Sequence, residues 1–230
     1  MAAMEERRND RPLLVVLVAL TTVTGCLDAV CYLGLGRVFT ANMTGNVVIL
    51  GFSAAGAPGF SIVRPLIALA GFALGTLSGG RLALVMAGRP RAQWVSGALT
   101  AESLLIAVAA LVVAVTDGSG GHQGAIAVLA TAMGIRNATV RRLAVPDMST
   151  TVLTTILTGL IAESSPAGGT NPRAGRRIGA VVALAGGAAG GGWLVLHRGL
   201  VLPLLVAACT VAAIALAHAL WVFLRRVQHS

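Results

Sequence analysis

Apolar residues run in long blocks along this chain, and short polar gaps separate them. Six blocks, at residues 12–35, 65–88, 94–116, 122–140, 178–197 and 200–224, are near or above the ~20 residues that a helix needs to cross a ~30 Å hydrocarbon core. Two further stretches are ambiguous. Residues 39–53 are too short to cross unaided at ~1.5 Å per residue. Residues 143–162 are long enough but rich in threonine. Counting both gives eight spans, and counting neither gives six.

The first block resembles a secretory leader, because Met1 to Arg11 is charged and the chain is apolar from Pro12. The apolar run continues to Gly36, beyond the ~7–15 residues of a leader's apolar region. It is therefore expected as an uncleaved first span, with residues 1–11 forming a cytoplasmic tail. The arginines then choose between the topologies, because cytoplasmic loops are enriched in basic residues. With six spans and both termini inside, twelve arginines lie inside and three outside (Arg37, Arg64 and Arg198), while Arg81 and Arg136 fall within spans. Eight spans give nine against six. The six-span arrangement is expected, with 39–53 and 143–162 entering and returning, in a multi-pass protein of the bacterial plasma (inner) membrane.

Composition closes off the other classes. The chain is 56% hydrophobic and only 11% charged, with a mean hydropathy of +0.86. About 25% charge is usual for a soluble domain, so this chain lacks the polar surface of one. Its hydrophobicity excludes disorder, and three cysteines are too few for a disulfide scaffold. The net charge of +9 comes from seventeen basic residues, all arginine. They sit in the gaps between apolar runs, with no basic face interleaved with aromatics, so nucleic acid is not expected as a partner. Cys26, Cys31 and Cys209 lie inside apolar runs, and the scattered histidines have no metal-ligand spacing; no metal or cofactor is expected.

The chain also repeats itself. Gly25-Cys26-Leu27-Asp28-Ala29 aligns with Gly134-Ile135-Arg136-Asn137-Ala138, and Thr40 and Thr44 then fall on Thr150 and Thr154. Leu69-Ala70-Gly71, Ala73 and Gly75 match Leu184-Ala185-Gly186, Ala188 and Gly190. Three matches in one order predict two homologous halves in a single membrane domain, about 12–116 and 122–225, joined by Asp117–Gly121. Each half has an odd number of spans, so the halves are inverted relative to each other, a design known in transporters. The expected fold is all-α: six transmembrane helices in two inverted three-span repeats, each with a short Thr/Asn/Gly-rich broken or re-entrant segment.

The string Gly25-Cys-Leu-Asp28-Ala, followed by Val38-Phe-Thr-Ala-Asn-Met-Thr44-Gly45-Asn46, resembles the bacterial YoaK family of small integral membrane proteins. The resemblance is most specific at Asp28 and at Thr44-Gly45-Asn46, and it covers most of the chain. In the second half, Thr154-Thr155 stands where the family tends to have Thr-Gly, and Asn137 stands opposite Asp28. The family is functionally unassigned, so the resemblance implies a fold and a location but no substrate.

Polar side chains inside a bilayer are costly and mark candidate sites. As a helix, the segment Thr40–Asn46 would place Thr40/Thr44 and Asn42/Asn46 in neighbouring stripes. Gly45 would permit a break that exposes backbone to a cavity. A substrate or ion site is one reading; interhelical hydrogen-bonding glue is the other. The same alternatives hold for Thr150, Thr151 and Thr154. Asp28 is either a proton or cation site or a cap on the following segment, with Arg37 as a further partner. Arg136 and Asn137 stand at the approach to the second segment, where Arg136 can recruit an anion or neutralise Asp28. Arg81 and Glu102, at similar depth in adjacent antiparallel spans, are expected to form a structural ion pair. His218 is expected to be a packed or hydrogen-bonded core histidine, with a proton relay as the alternative. Gly71, Gly75 and Gly79, with Gly186 and Gly190, form small-residue faces that let two helices approach. Those helices are expected to pack on each other, or to form a homodimer contact.

The residues expected to carry function are therefore Asp28, Asn42, Thr44, Gly45, Asn46, Arg136, Asn137, Thr150, Thr151 and Thr154. Together they suggest a small secondary transporter or channel for a small polar or ionic solute, with the lipid bilayer as its other partner. A non-transporting scaffold or accessory protein is the alternative. An enzyme is not expected, since no nucleophile–base–acid constellation exists; its one credible form would process lipids.

Overall fold

The computed structural model describes residues 2–86, 88, 91–116, 118–143, 153–171 and 174–227. These form eight α-helices: α1 (Ala2–Gly34), α2 (Met43–Ala54), α3 (Val63–Val85), α4 (Arg91–Val115), α5 (Ser119–Leu143), α6 (Leu153–Ala162), α7 (Ala174–Arg198) and α8 (Val201–Val227). A single 3-10 turn, Ser165–Ala167, follows α6. The segment expected as an N-terminal tail is helical from Ala2 onward and continuous with the first span.

Among the described residues, five segments are long and apolar enough to cross a membrane: Val15–Gly34, Val63–Val85, Gln93–Val115, Ala174–Arg198 and Val201–Trp221. The sixth expected span, 122–140, falls in α5. That helix has the length, at 25 residues, but Gln123, Arg136 and Asn137 dilute its apolar character. Its position explains why it tolerates them. It packs against both α3 and α4, and Ala125, Ile126, Leu129, Ala130, Ala132 and Met133 are buried. A helix enclosed by protein need not present an apolar surface to lipid on every side.

The two ambiguous stretches hold short helices. At ~1.5 Å per residue, the twelve residues of α2 and ten of α6 give lengths of about 18 and 15 Å, about half of a ~30 Å core. Gly36 (φ 116°) and Arg37 (φ 60°) turn the chain back at the end of α1.

The most extensive helix pairs are α3 with α5 and α1 with α7, followed by α4 with α8 and α4 with α5. Small residues allow these approaches. A Cβ on Gly75 would fall on the Thr131 carbonyl of α5, one on Gly71 would lie 2.7 Å from the Ala127 carbonyl, and one on Gly79 would lie 3.0 Å from the Ala138 methyl. In return, Gly134 of α5 lets the backbone of Phe72 and Thr76 come close.

Two sequence expectations need correction here. The glycine faces of α3 and α7 do not pack on each other; α3 lies on α5 and α7 on α1. On α7 the packing glycines are Gly187, against the Thr22 carbonyl, and Gly191, 2.7 Å from Cys26 Cα, whereas a Cβ on Gly186 or Gly190 would meet nothing within 4 Å. One residue is about 100° of helix rotation. The run Gly186–Gly192 contains two overlapping small-residue faces, and composition does not say which one is used.

This geometry predicts a contrast. Gly75→Ala should cost about 1–3 kcal/mol, as overpacking does, whereas Gly186→Ala should stay within about 0.5 kcal/mol of the parent. Thermal unfolding of the two purified variants in detergent would reverse the assignment of faces if Gly186→Ala were the damaging one.

Candidate functional site

The first polar segment is a capped loop, and its polar groups bond to one another. Because α2 starts at Met43, Thr40 and Asn42 precede the helix and the expected polar stripes do not form. Asp28, on α1, accepts through Oδ1 from the Thr40 N–H (2.9 Å), the Ala41 N–H (3.0 Å) and the Thr40 hydroxyl (3.3 Å). Asn46 is fully buried and makes a two-way bridge to one residue. Its Oδ1 accepts from the Phe39 N–H at 2.8 Å, and its Nδ2 donates to the Phe39 carbonyl at 2.7 Å. Asn42 caps α2 by accepting from the Gly45 N–H at 3.2 Å. Gly45 leaves room for the Phe39 ring, 2.8 Å from where its Cβ would stand, and that ring stacks on Tyr32. Thr44 is exposed. The Arg37 guanidinium lies over the Phe60 ring, 5.5 Å from its centroid, and does not appear among the partners of Asp28.

In the second segment, Thr150 and Thr151 lie outside the described residues, and Thr154 is exposed on α6. Asn137 donates to the Met133 carbonyl of its own helix at 2.9 Å. An ion pair ties α6 to α7: buried Arg177 donates to Glu163 at 2.8 Å. Gly159 has no side chain to block it; a Cβ there would lie 2.9 Å from the Arg177 guanidinium carbon.

The charges deep in the bundle pair differently from the sequence expectation. Glu102 of α4 forms its ion pair with Arg136 of α5, both of them about 1% exposed, while Arg81 is exposed on α3. Comparable depth suggested Arg81, but α3 and α4, although consecutive in the chain, barely touch, whereas α4 and α5 pack extensively. Arg136 also reaches across to α1. Its Nη1 donates to the Leu20 carbonyl at 2.8 Å and to the Thr24 hydroxyl at 2.7 Å, and Nη2 donates to Glu102 Oε1. Its Nε is buried and has no hydrogen-bond partner among the described residues. Thus one guanidinium joins three helices.

Thr24 is the participant that sequence reasoning missed. An intrahelical bond from its hydroxyl to the Leu20 carbonyl (3.0 Å) is common for threonine in a helix, so nothing in the sequence marked it. Elsewhere, Ser96 and His218 Nδ1 are 2.8 Å apart across α4 and α8, and the Ser103 hydroxyl donates to the Ala208 carbonyl at 2.9 Å.

A groove of about 560 Å³ opens between α1, α7 and α8, bordered by Thr22, Cys26, Gly186, Gly190, Trp193 and Thr210. Its surface is mostly apolar, because the Thr22 and Thr210 hydroxyls are turned onto the carbonyls of Val18 and Val206. Among the described residues, no three His, Cys, Asp or Glu side chains are grouped to hold a metal ion.

Five spanning segments, an enclosed helix and a charge pair in the bundle define a multi-pass helical membrane protein. Over residues 16–217 the sequence matches the family described as "Protein of unknown function (DUF1275)", and the chain belongs to that family. It is 33% identical over 154 residues to the UPF0700 transmembrane protein YoaK of Bacillus subtilis (strain 168), a match covering 65% of this chain and 66% of that protein. No solved structure matches the chain.

Proposed function

We propose that this protein is a small secondary transporter of two inverted repeats, moving a small polar or ionic solute past the Glu102–Arg136 pair. The observation that carries the reading is that pair. Two opposite charges at about 1% exposure, donated by different helices and tied to a third, are expensive to place in a bilayer and by default mark a solute or ion pathway. The transport site therefore moves from residues 40–46, whose groups satisfy one another, to the α1–α4–α5 contact.

Repeated packing geometry supports the inverted halves. Gly75 meets the Thr131 carbonyl as Gly187 meets the Thr22 carbonyl, and Gly134 meets Phe72 and Thr76 as Gly25 meets Leu184 and Ala188. In this register α1 corresponds to α5 and α3 to α7, with Gly75 on Gly187. The sequence match to Gly190 is thus three residues out. Short α2 and α6 follow the first helix of each half. The arginine distribution favours six spans with both termini cytoplasmic. An enzyme is not proposed.

The self-bonded loop around Asp28 and Asn46 favours the scaffold as a second reading, and one experiment separates the two. With Cys26, Cys31 and Cys209 changed to alanine, Thr24→Cys should react with a membrane-impermeant thiol reagent from one side of sealed vesicles. A static scaffold would leave this position unlabelled from both sides, and that result would replace the transporter.

A further inference from the structure

We infer that the Glu102–Arg136–Thr24 cluster is a binding site for a small monocarboxylate, taken up together with one proton that is held by Glu102. This rests on the transporter reading above and names its substrate class.

The starting point is how Arg136 uses its donors. Both acceptors on α1 are served by Nη1, and Glu102 is met by Nη2 alone, at a single oxygen, while the buried Nε has no hydrogen-bond partner among the described residues. A guanidinium binds a carboxylate best side-on, through two parallel N–H···O bonds. The native pair leaves that arrangement unmade. A free carboxylate approaching the Nε–Nη2 edge would gain both bonds, while Nη1 stays anchored to Leu20 and Thr24. The group it displaces is itself a carboxylate, so the guanidinium already accepts that chemistry at Nη2.

Charge balance fixes the rest. With Arg136 positive and Glu102 negative, the ion pair is neutral overall. A monoanion that replaces Glu102 on the guanidinium would leave the site at minus one in a low-dielectric interior, which is costly. When Glu102 takes up one proton, the bound site is neutral again: Arg136 positive, solute negative, Glu102 uncharged. A dianion would leave an uncompensated charge, so the class is a monoanion with a planar two-oxygen head. Anion and proton move together, and no net charge crosses the membrane.

The other titratable or charged groups on the packed helices leave this exchange to Glu102. On α1, Asp28 lies one turn beyond Thr24, with Oδ1 occupied by Thr40 and Ala41; Cys26 and Cys31 are on the same helix. On α8, Cys209 is exposed and His218 is bonded to Ser96. Arg81 of α3 is exposed. On α4 and α5 themselves, Arg91, His122, Arg141 and Arg142 sit toward the helix ends.

The test uses the purified full chain with sodium pyruvate as probe, against sodium chloride and sodium phosphate at equal ionic strength. Pyruvate should raise the unfolding temperature more at about pH 5.5 than at about pH 7.5, with apparent affinity falling by up to about tenfold per pH unit once Glu102 is ionised. In Glu102→Gln, whose side chain is permanently uncharged, pyruvate should stabilise equally at both pH values. A purely structural role for Glu102 would not remove the pH profile. In proteoliposomes, an inward proton gradient should drive radiolabelled pyruvate uptake, and clamping the membrane potential should not change it. These wild-type measurements stand even where Glu102→Gln does not fold. Equal effects of chloride or phosphate, or pyruvate uptake indifferent to the proton gradient, would overturn the assignment. An accessible Thr24→Cys with no pyruvate response removes the carboxylate and keeps the transporter; an inaccessible Thr24→Cys removes both.

Discussion

Arg136→Leu should lower the free energy of unfolding by about 3–5 kcal/mol, the largest single-residue effect expected in this protein. The substitution leaves Glu102 buried with no counter-charge, and it strips the Thr24 hydroxyl and the Leu20 carbonyl of a donor from α5. Adding Glu102→Leu should recover much of the loss, because two apolar side chains can occupy the space without an isolated charge. Arg81→Leu should change stability by less than about 0.5 kcal/mol, as exposed positions do. A double-mutant cycle on purified protein, followed by thermal unfolding, reads all three. Additive losses for Arg136 and Glu102 would show that they do not act as a pair, and coupling between Arg81 and Glu102 would restore the partner expected from sequence.

Asn46→Leu should be nearly as damaging, and it should act on folding before it acts on transport. The side chain closes a two-way bridge to the Phe39 backbone at zero exposure. Leucine is similar in size but leaves the Phe39 N–H and carbonyl without these partners, at about 1–3 kcal/mol for each buried group. Asp28 makes a useful control. Asparagine keeps an oxygen to accept from the Thr40 and Ala41 N–H groups, so Asp28→Asn should retain most of the stability, while Asp28→Ala should lose about 0.5–2 kcal/mol, in the manner of a lost cap. The second half carries Asn137 where the first carries Asp28. A proton site at Asp28 would give the opposite order in a transport assay: Asp28→Asn inactive, with stability intact.

The spanning helices were legible because the bilayer imposes length and apolarity directly on the sequence, and five of the six expected runs meet both demands. The sixth, α5, was legible as a helix but not as an enclosed one, since burial inside protein leaves a weaker apolar signal than exposure to lipid. Asp28 and Asn46 were legible as special positions, but their direction was not. The pattern of Thr40, Asn42, Thr44 and Asn46 fits a polar helix face as well as it fits a loop closed upon itself; tertiary geometry chooses between them. Sequence favours Arg81 over Arg136 as the partner of Glu102, because helices consecutive in the chain are expected to be neighbours in space. The close packing of α3 on α5 and of α4 on α5 breaks that assumption. The glycine face of α7 lies one residue from the expected one for a related reason, since all seven residues from Gly186 to Gly192 are glycine or alanine and small enough for either face.

The low apolarity of α5 bears on how the chain is made. An arginine opposes insertion of a segment by up to about 2.5–3.5 kcal/mol at the helix centre and by less toward an end, and Arg136, with Gln123 and Asn137 in the same helix, makes α5 poorly able to leave the insertion machinery by itself. Glu102 precedes Arg136 by 34 residues, and α3, with the glycines that receive α5, is made earlier still. By the time Arg136 is synthesised, its counter-charge and its docking groove already exist, so the order of synthesis allows α5 to partition against protein instead of lipid. Moving α5 ahead of α3 and α4 by circular permutation would take that advantage away while leaving every residue of the folded bundle the same.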